Sequence, residues 1–352
     1  MSSSTHNSAN FNGTNAPPLL ELRNLSTHYV SSRGTRVVRA VDDVSLSLNA
    51  GQTLGIVGES GSGKSTLALT LLRVLPPSAQ ITSGQMLLEG EDLITKSEEE
   101  MRRIRGKKIA MILQDPMASL NPLFTIGDQV GESVRLHEGV SRKTAWQRAI
   151  SLLKAVRIPA AETRVTQYPH EMSGGMRQRI VGAIGISCEP RLLIADEPTT
   201  SLDLTIQAQY LNLLRDLQQE HRLGLIFITH NLGIVAKMCD LLVVMYAGRV
   251  VESGPVSRVF NTPYHPYTEA LLHSIPRMSD SRERLKAIDG HPPDMTALPK
   301  GCAFAARCPR VFERCHHEAP PAFTPETGRT ARCWLVAGET NGAEMHLAAG
   351  AV

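Results

Sequence analysis

Gly58-Glu59-Ser60-Gly61-Ser62-Gly63-Lys64-Ser65 fits the pattern G-x-x-x-x-G-K-[ST] in full. The apolar run Leu54-Gly55-Ile56-Val57 comes directly before it, and a helical stretch over residues 67–72 comes after. Strand, glycine-rich loop and helix in that order form the context of a phosphate-binding loop; a chance glycine-rich turn lacks it. The residue types follow from the chemistry. Glycines let backbone N–H groups turn inward around phosphate oxygens without a clashing Cβ. The helix N-terminus adds a field that favours an anion. Lys64 can reach the β- and γ-phosphates, and the Ser65 hydroxyl can ligate Mg²⁺, with Thr66 next in the loop.

Outward from the loop, Ile109-Ala110-Met111-Ile112-Leu113, Leu192-Leu193-Ile194-Ala195 and Leu225-Ile226-Phe227-Ile228 are short apolar runs bounded by polar, Gly or Pro residues. They fit strands of a sheet buried on both faces by helices. Between Asp115 and Arg179 strand signals stop, and Ala145, Ala149, Leu152, Leu153 and Val156 recur at helical spacing. The expectation is an α/β core with a helical insertion over about residues 115–180. Its boundaries are a disordered lead at 1–18, a nucleotide-binding domain at 19–254, a smaller Cys-containing extension at 255–337 and a loose tail at 338–352.

Composition narrows the function classes. The 352-residue chain is 42% hydrophobic, enough for a buried core. Its net charge of +3 is not gathered into a basic tract, which gives nucleic-acid binding no support. It has no run of 18 apolar residues, the length a spanning helix needs. The first 18 residues carry no Asp, Glu, Lys or Arg and no apolar h-region, so a secretory signal is not expected. A cytosolic location follows, where grouped cysteines suggest a metal site rather than disulfides.

The loop alone leaves the NTPase class open, although no Asn-Lys-x-Asp guanine reader is present. Later elements decide it. Ser173-Gly174-Gly175, with Met172 and Met176 at its flanks, resembles the ABC signature motif, usually Leu-Ser-Gly-Gly-Gln. Asp196-Glu197 closes the run 192–195 in the manner of a Walker B pair. Gln114 follows the run 109–113, His230 follows Phe227-Ile228-Thr229 about 33 residues after Glu197, and Ser201-Leu202-Asp203 lies between. Each has a plainer reading alone: a loop tripeptide, an acidic turn, a polar strand end. In this order they resemble the ABC ATPases. The strings Gln114-Asp115-Pro116, Ser119-Leu120-Asn121-Pro122, Asp196 through Asp203, and Pro263-Tyr264-His265-Pro266-Tyr267-Thr268 resemble the oligopeptide/dipeptide/nickel importer branch.

That resemblance implies a P-loop NTPase (RecA-like) core binding ATP and Mg²⁺. Asp196, Ser65 and Gln114 would serve the metal, and Glu197 would orient and deprotonate the attacking water. His230 would act as the switch histidine near the γ-phosphate, and Tyr29 would stack on adenine. Ser173, Gly174 and Gly175 would complete the site of a second ATPase chain facing head to tail, with Asp203 in the D-loop between them. The implied partners are that second ATPase (a heterodimer first, a homodimer second), two integral membrane permeases and an extracytoplasmic peptide-binding protein. The implied location is the cytoplasmic face of the inner membrane. Nickel chelates or glutathione are alternative cargoes. A soluble ABC ATPase outside transport is the alternative class, although one phosphate loop and no long heptad run speak against it.

Six cysteines remain. Cys188 and Cys239 read as small apolar fillers. Cys302, Cys308, Cys315 and Cys333 are separated by five, six and seventeen residues, which is not a paired C-x₂-C ribbon. The family's extension implies a [4Fe–4S] cluster held by these four. Zinc and unliganded thiols are the other readings.

Overall fold

The computed structural model describes residues 17–31, 35–200, 202–274 and 288–338. The expected lead and tail therefore fall almost wholly outside the described residues, as does Ser201. The strands in chain order are β1 (Leu20–Val30), β2 (Val37–Leu48), β3 (Thr53–Val57), β4 (Ala79–Leu88), β5 (Glu91–Asp92) and β6 (Ile109–Ile112). They continue with β7 (Leu192–Asp196), β8 (Gly224–Ile228), β9 (Leu241–Tyr246), β10 (Arg249–Pro255), β11 (Phe323–Glu326) and β12 (Arg329–Ala331).

The four apolar runs are the strands β3, β6, β7 and β8. With β9 they form the parallel part of one sheet in the order β9-β3-β8-β7-β6. Every residue of β3, β7, β8 and β9 is buried, as expected for strands covered on both faces. Each fully buried Ile, Leu or Val here contributes roughly 1.5–3 kcal/mol. Because these strands run parallel and side by side, the chain leaves β3, β8, β7 and β6 at the same end. That edge is the usual ligand crevice of an open α/β sheet.

A second, antiparallel sheet in the order β2-β1-β4-β5 packs Leu20, Leu22, Leu25, Val41 and Val44 into the core beside β3. Between β6 and β7 the described residues contain helices only, chiefly Ile126–Glu138, Arg142–Ala155 and Gly174–Ile186. Thr125, Ser141 and Ser173 start these helices, each accepting a hydrogen bond from a backbone N–H three residues on. Ala145, Ala149 and Leu153 form the buried stripe of the second helix, as their spacing predicts.

The segment after Pro255 returns to the same sheet. β10 pairs antiparallel with β9 on one side and with β12 on the other, and β11 closes the edge. The join is sealed by Arg329 and Glu252, both buried: Arg329 Nη2 donates to Glu252 Oε1 at 2.9 Å. The other lone pairs of Glu252 accept the N–H groups of Tyr264 and His265, each at 2.9 Å. This buried carboxylate therefore organises the Pro-Tyr-His-Pro-Tyr-Thr segment.

Candidate functional site

The phosphate loop leaves β3 at Gly58 and enters the helix Lys64–Leu72 at Gly63. Both glycines are required. Gly58 has φ 154 and a Cβ there would lie 2.2 Å from the Met245 carbonyl oxygen. Gly63 has φ 101 and its Cβ would lie 2.0 Å from the Ala40 carbonyl oxygen. The loop is thus pressed against β9 and β2 and held open toward the crevice, where Ser60, Gly61 and Ser65 are exposed. The helix has no side-chain cap and no acidic residue in its first turn, so its N-terminal field is left for an anion.

Lys64 is buried under this loop. Its Nζ donates to the carbonyl oxygens of Gly58 and Glu59, each at 2.8 Å, and to Ser62 Oγ at 3.3 Å. Burial pushes the Lys64 pKa below its ordinary value, against the opposing pull of Glu197, Asp196 and Glu59. Asp196 ends β7 and is buried too. Burial pushes its carboxyl up, opposed by a hydrogen bond from Ser65 and the charge of Lys64, with Glu197 adding to the rise. Its Oδ1 is buried with no hydrogen-bond partner. Such an orphaned atom is costly unless something bound satisfies it. A hydroxyl, a carboxylate and the phosphates of a nucleotide form the oxygen donor set that Mg²⁺ takes, so Ser65 and Asp196 fit that ion.

Glu197 is the hub of the crevice. It adopts a left-handed conformation, φ 45, and its N–H donates to the Ile228 carbonyl at 2.9 Å, which ties the turn after β7 to the end of β8. Gln114 Nε2 donates to Glu197 Oε2 at 3.1 Å and Thr200 Oγ1 donates to the same oxygen at 3.0 Å. His230 Nδ1 lies 3.1 Å from Glu197 Oε1 and donates to it in the Nδ1–H tautomer. The glutamate side chain is 19% exposed and the histidine 64%, so the group is open to solvent on one side only. Three residues that are distant in sequence, Gln114, Glu197 and His230, thus meet at the ends of β6, β7 and β8. Arrays of this kind position a water and accept its proton.

Tyr29 lies on β1 with its hydroxyl 3.3 Å from Thr66 Oγ1, at the flank of the phosphate loop, and its ring is partly exposed. Ser173, Gly174 and Gly175 stand elsewhere. With Leu202, Asp203 and Ile206 they line an open pocket that includes no phosphate-loop residue. Ser173 and Gly174 are exposed at the start of the helix Gly174–Ile186. Asp203 Oδ1 caps the helix Leu204–His221, accepting from the N–H groups of Thr205 and Ile206 at 3.0 and 2.9 Å.

Sequence reading missed two things here. Thr200 fastens Glu197, and the only local hint was its spacing of three residues. The extension also reaches the phosphate loop: Tyr267 and Arg307 contact Glu59 from 208 and 248 residues away, a separation no local pattern reports.

The iron–sulfur expectation finds no support among the described residues. Cys302, Cys308, Cys315 and Cys333 do line one cavity, beside Phe304 and Trp334. The space is about 10 Å³, room for at most one water. Among the described residues no group of three or more His, Cys, Asp or Glu side chains is arranged to hold a metal ion. Burial pushes Cys308 up to about 11 and Cys333 up to about 12. The four are gathered on one cavity, and nothing among the described residues supports an iron–sulfur cluster or zinc there. Cys239 packs against Gly55 of β3 and is a filler, as expected.

The family model for ABC transporters matches residues 41–200, and the model for the oligopeptide/dipeptide transporter C-terminal region matches residues 251–315. The chain is 49% identical to a putative peptide import ATP-binding protein of Brucella melitensis, over 90% of this chain and 96% of that one. It is 46% identical to the oligopeptide transport ATP-binding protein OppD of Haemophilus influenzae, over 92% and 99%, and 47% identical to the dipeptide transport ATP-binding protein DppD of Bacillus subtilis, over 90% and 94%. Among solved structures, a dimeric bacterial ABC transporter cassette superposes with TM-score 0.60 at 25% identity, covering 67% of this chain and 98% of that chain. CbiO1 of Clostridium perfringens superposes with TM-score 0.59 at 27% identity, covering 69% and 91%.

Proposed function

This chain belongs to the ABC transporter family, in the branch that carries the oligopeptide/dipeptide C-terminal region, and on that premise we propose that it binds and hydrolyses ATP to drive peptide import. The observation that carries the reading is the joining of Gln114, His230 and Thr200 on Glu197, beside the buried Lys64 and Asp196. The peptide cargo rests on the similarity to peptide and dipeptide import ATP-binding proteins over nine-tenths of the chain.

In this mechanism the glycine loop and the open helix N-terminus seat the phosphates. Lys64, already desolvated, exchanges its bonds to loop carbonyls for bonds to the β- and γ-phosphates. Ser65, Asp196 and Gln114 would hold Mg²⁺, whose charge would offset that of the same phosphates. Glu197 takes the proton of the attacking water, and Gln114, Thr200 and His230 keep its carboxylate aimed. Tyr29 stacks on the adenine.

Ser173, Gly174 and Gly175 serve the γ-phosphate of a second cassette, with Asp203 near the junction. Their exposure in a pocket apart from Lys64 supports that division. We assign the second cassette to a different chain, forming a heterodimer, and add two permeases and an extracytoplasmic peptide-binding protein. No helix among the described residues is long and apolar enough to cross a membrane. The proposed place at the cytoplasmic face of the inner membrane therefore comes through the permeases. No iron–sulfur cluster enters this mechanism.

The test is ATP turnover by the chain assembled with its partners. Glu197→Gln removes the base and should lower kcat by about 10²–10⁴-fold while ATP still binds. Equal turnover in variant and parent removes Glu197 from this role.

A further inference from the structure

The back of the phosphate loop is walled by the C-terminal extension. Tyr267, buried in the helix Pro266–His273, accepts the Glu59 N–H on its hydroxyl at 2.9 Å. Arg307 ends a short turn, Ala305–Arg307, and grips the Glu59 carboxylate with both terminal nitrogens, Nη1 to Oε2 at 2.8 Å and Nη2 to Oε1 at 2.9 Å. The Arg307 side chain is 5% exposed, and Nη1 also donates to Tyr246 Oη at 3.2 Å. Its Nε donates to the Asp289 carbonyl at 2.9 Å. Tyr246, Tyr267 and Phe304 pack ring on ring beneath it, with centroids 4.6–5.3 Å apart. Glu59 is the second residue of the phosphate loop. Its carbonyl holds Lys64 Nζ and accepts the Ser62 N–H at 3.2 Å.

We propose that Arg307 and Tyr267 are positioning residues for nucleotide binding: the extension holds Glu59, and through it presets the phosphate loop and Lys64. A forked guanidinium–carboxylate pair fixes orientation as well as distance, which a surface ion pair does not. The cost of ordering a glycine-rich loop is then met on folding rather than on binding. The extension thereby contributes to ATP affinity although it supplies no group to the phosphates. This rests on the nucleotide reading of the phosphate loop given above.

The experiment measures equilibrium binding of a fluorescent ATP analogue with Mg²⁺ to the full chain, with thermal unfolding as a check on folding. The parent should bind. Arg307→Ala should raise Kd about tenfold, and Glu59→Gln and Tyr267→Phe about three- to tenfold, without lowering the number of sites bound at saturation. A merely structural role predicts the reverse, a smaller bound fraction with unchanged Kd. The double variant Arg307→Ala/Glu59→Gln should bind no more weakly than Arg307→Ala alone, since both break one unit. Arg307→Lys should recover part of the affinity, because it restores the charge but not the fork. Should Arg307→Ala fail to fold, Glu59→Gln and Tyr267→Phe read the same quantity at nearly unchanged volume. Folded variants that bind like a binding parent, or losses that add in the double variant, overturn the proposal. A parent with no affinity overturns the nucleotide reading itself.

Discussion

Glu197 carries strain at the point where the chemistry is proposed. A non-glycine residue in the left-handed region costs roughly 1–3 kcal/mol and persists only where its surroundings over-determine it. Here the Ile228 carbonyl, Gln114, Thr200 and His230 all hold it. Gly58 and Gly63 are the converse case, because a side chain at either would meet backbone. Gly63→Ala would set a Cβ 2.0 Å from a backbone carbonyl that cannot move aside, in addition to an unfavourable φ. The expected outcome is at least a tenfold loss of ATP affinity together with a lowered melting temperature. Calorimetric titration and a thermal scan measure the two, and parental values in both would contradict this account of the loop.

At the level of elements, the join between β10 and β12 depends on a charge pair out of reach of water. Removing one partner of a buried pair leaves the other uncompensated and costs about 3–5 kcal/mol. Arg329→Met should destabilise the extension by that order, read by urea unfolding through the fluorescence of Trp334, which lies in the extension. A shift under 1 kcal/mol would show that the pair is replaceable. His265, next to this join, is fully buried and accepts the Tyr267 N–H on Nδ1 at 3.0 Å. Burial, with Arg310 adding to it, lowers its pKa from 6.5 to about 3. Between those values the unfolded chain holds a proton that the folded one refuses. This contribution to stability is therefore complete above pH 6.5 and falls with pH by about 1.4 kcal/mol per unit. His265→Gln should flatten the decline between pH 6.5 and 5 in denaturant titrations; parallel slopes would defeat the assignment.

For the molecule as a whole, the proposed function requires ATP binding to be passed to permease subunits, and the helical insertion offers a surface for it. Leu123 is 81% exposed and Phe124 53%, side by side just before the helix Ile126–Glu138. Leu123→Asp should weaken co-purification with the permeases by tenfold or more while ATP binding to the isolated chain stays unchanged. Retained assembly would place the contact elsewhere. Much of this molecule was legible in the residues themselves. The apolar runs named β3, β6, β7 and β8, and the motifs named Lys64, Gln114, Asp196, Glu197 and His230, because strand burial and phosphate chemistry both impose local patterns. The antiparallel sheet was not legible, since its strands carry mixed burial and irregular register. Nor was the meeting of Gln114 and His230 on one carboxylate, which required parallel strands to end together. Sequence by itself determined the chemistry available, because each motif is a short run whose residue types suffice. Only the tertiary structure decided that the four cysteines come together on one cavity and that Arg307 closes on Glu59. Both depend on distances between segments far apart in the chain, and such distances are set by packing alone.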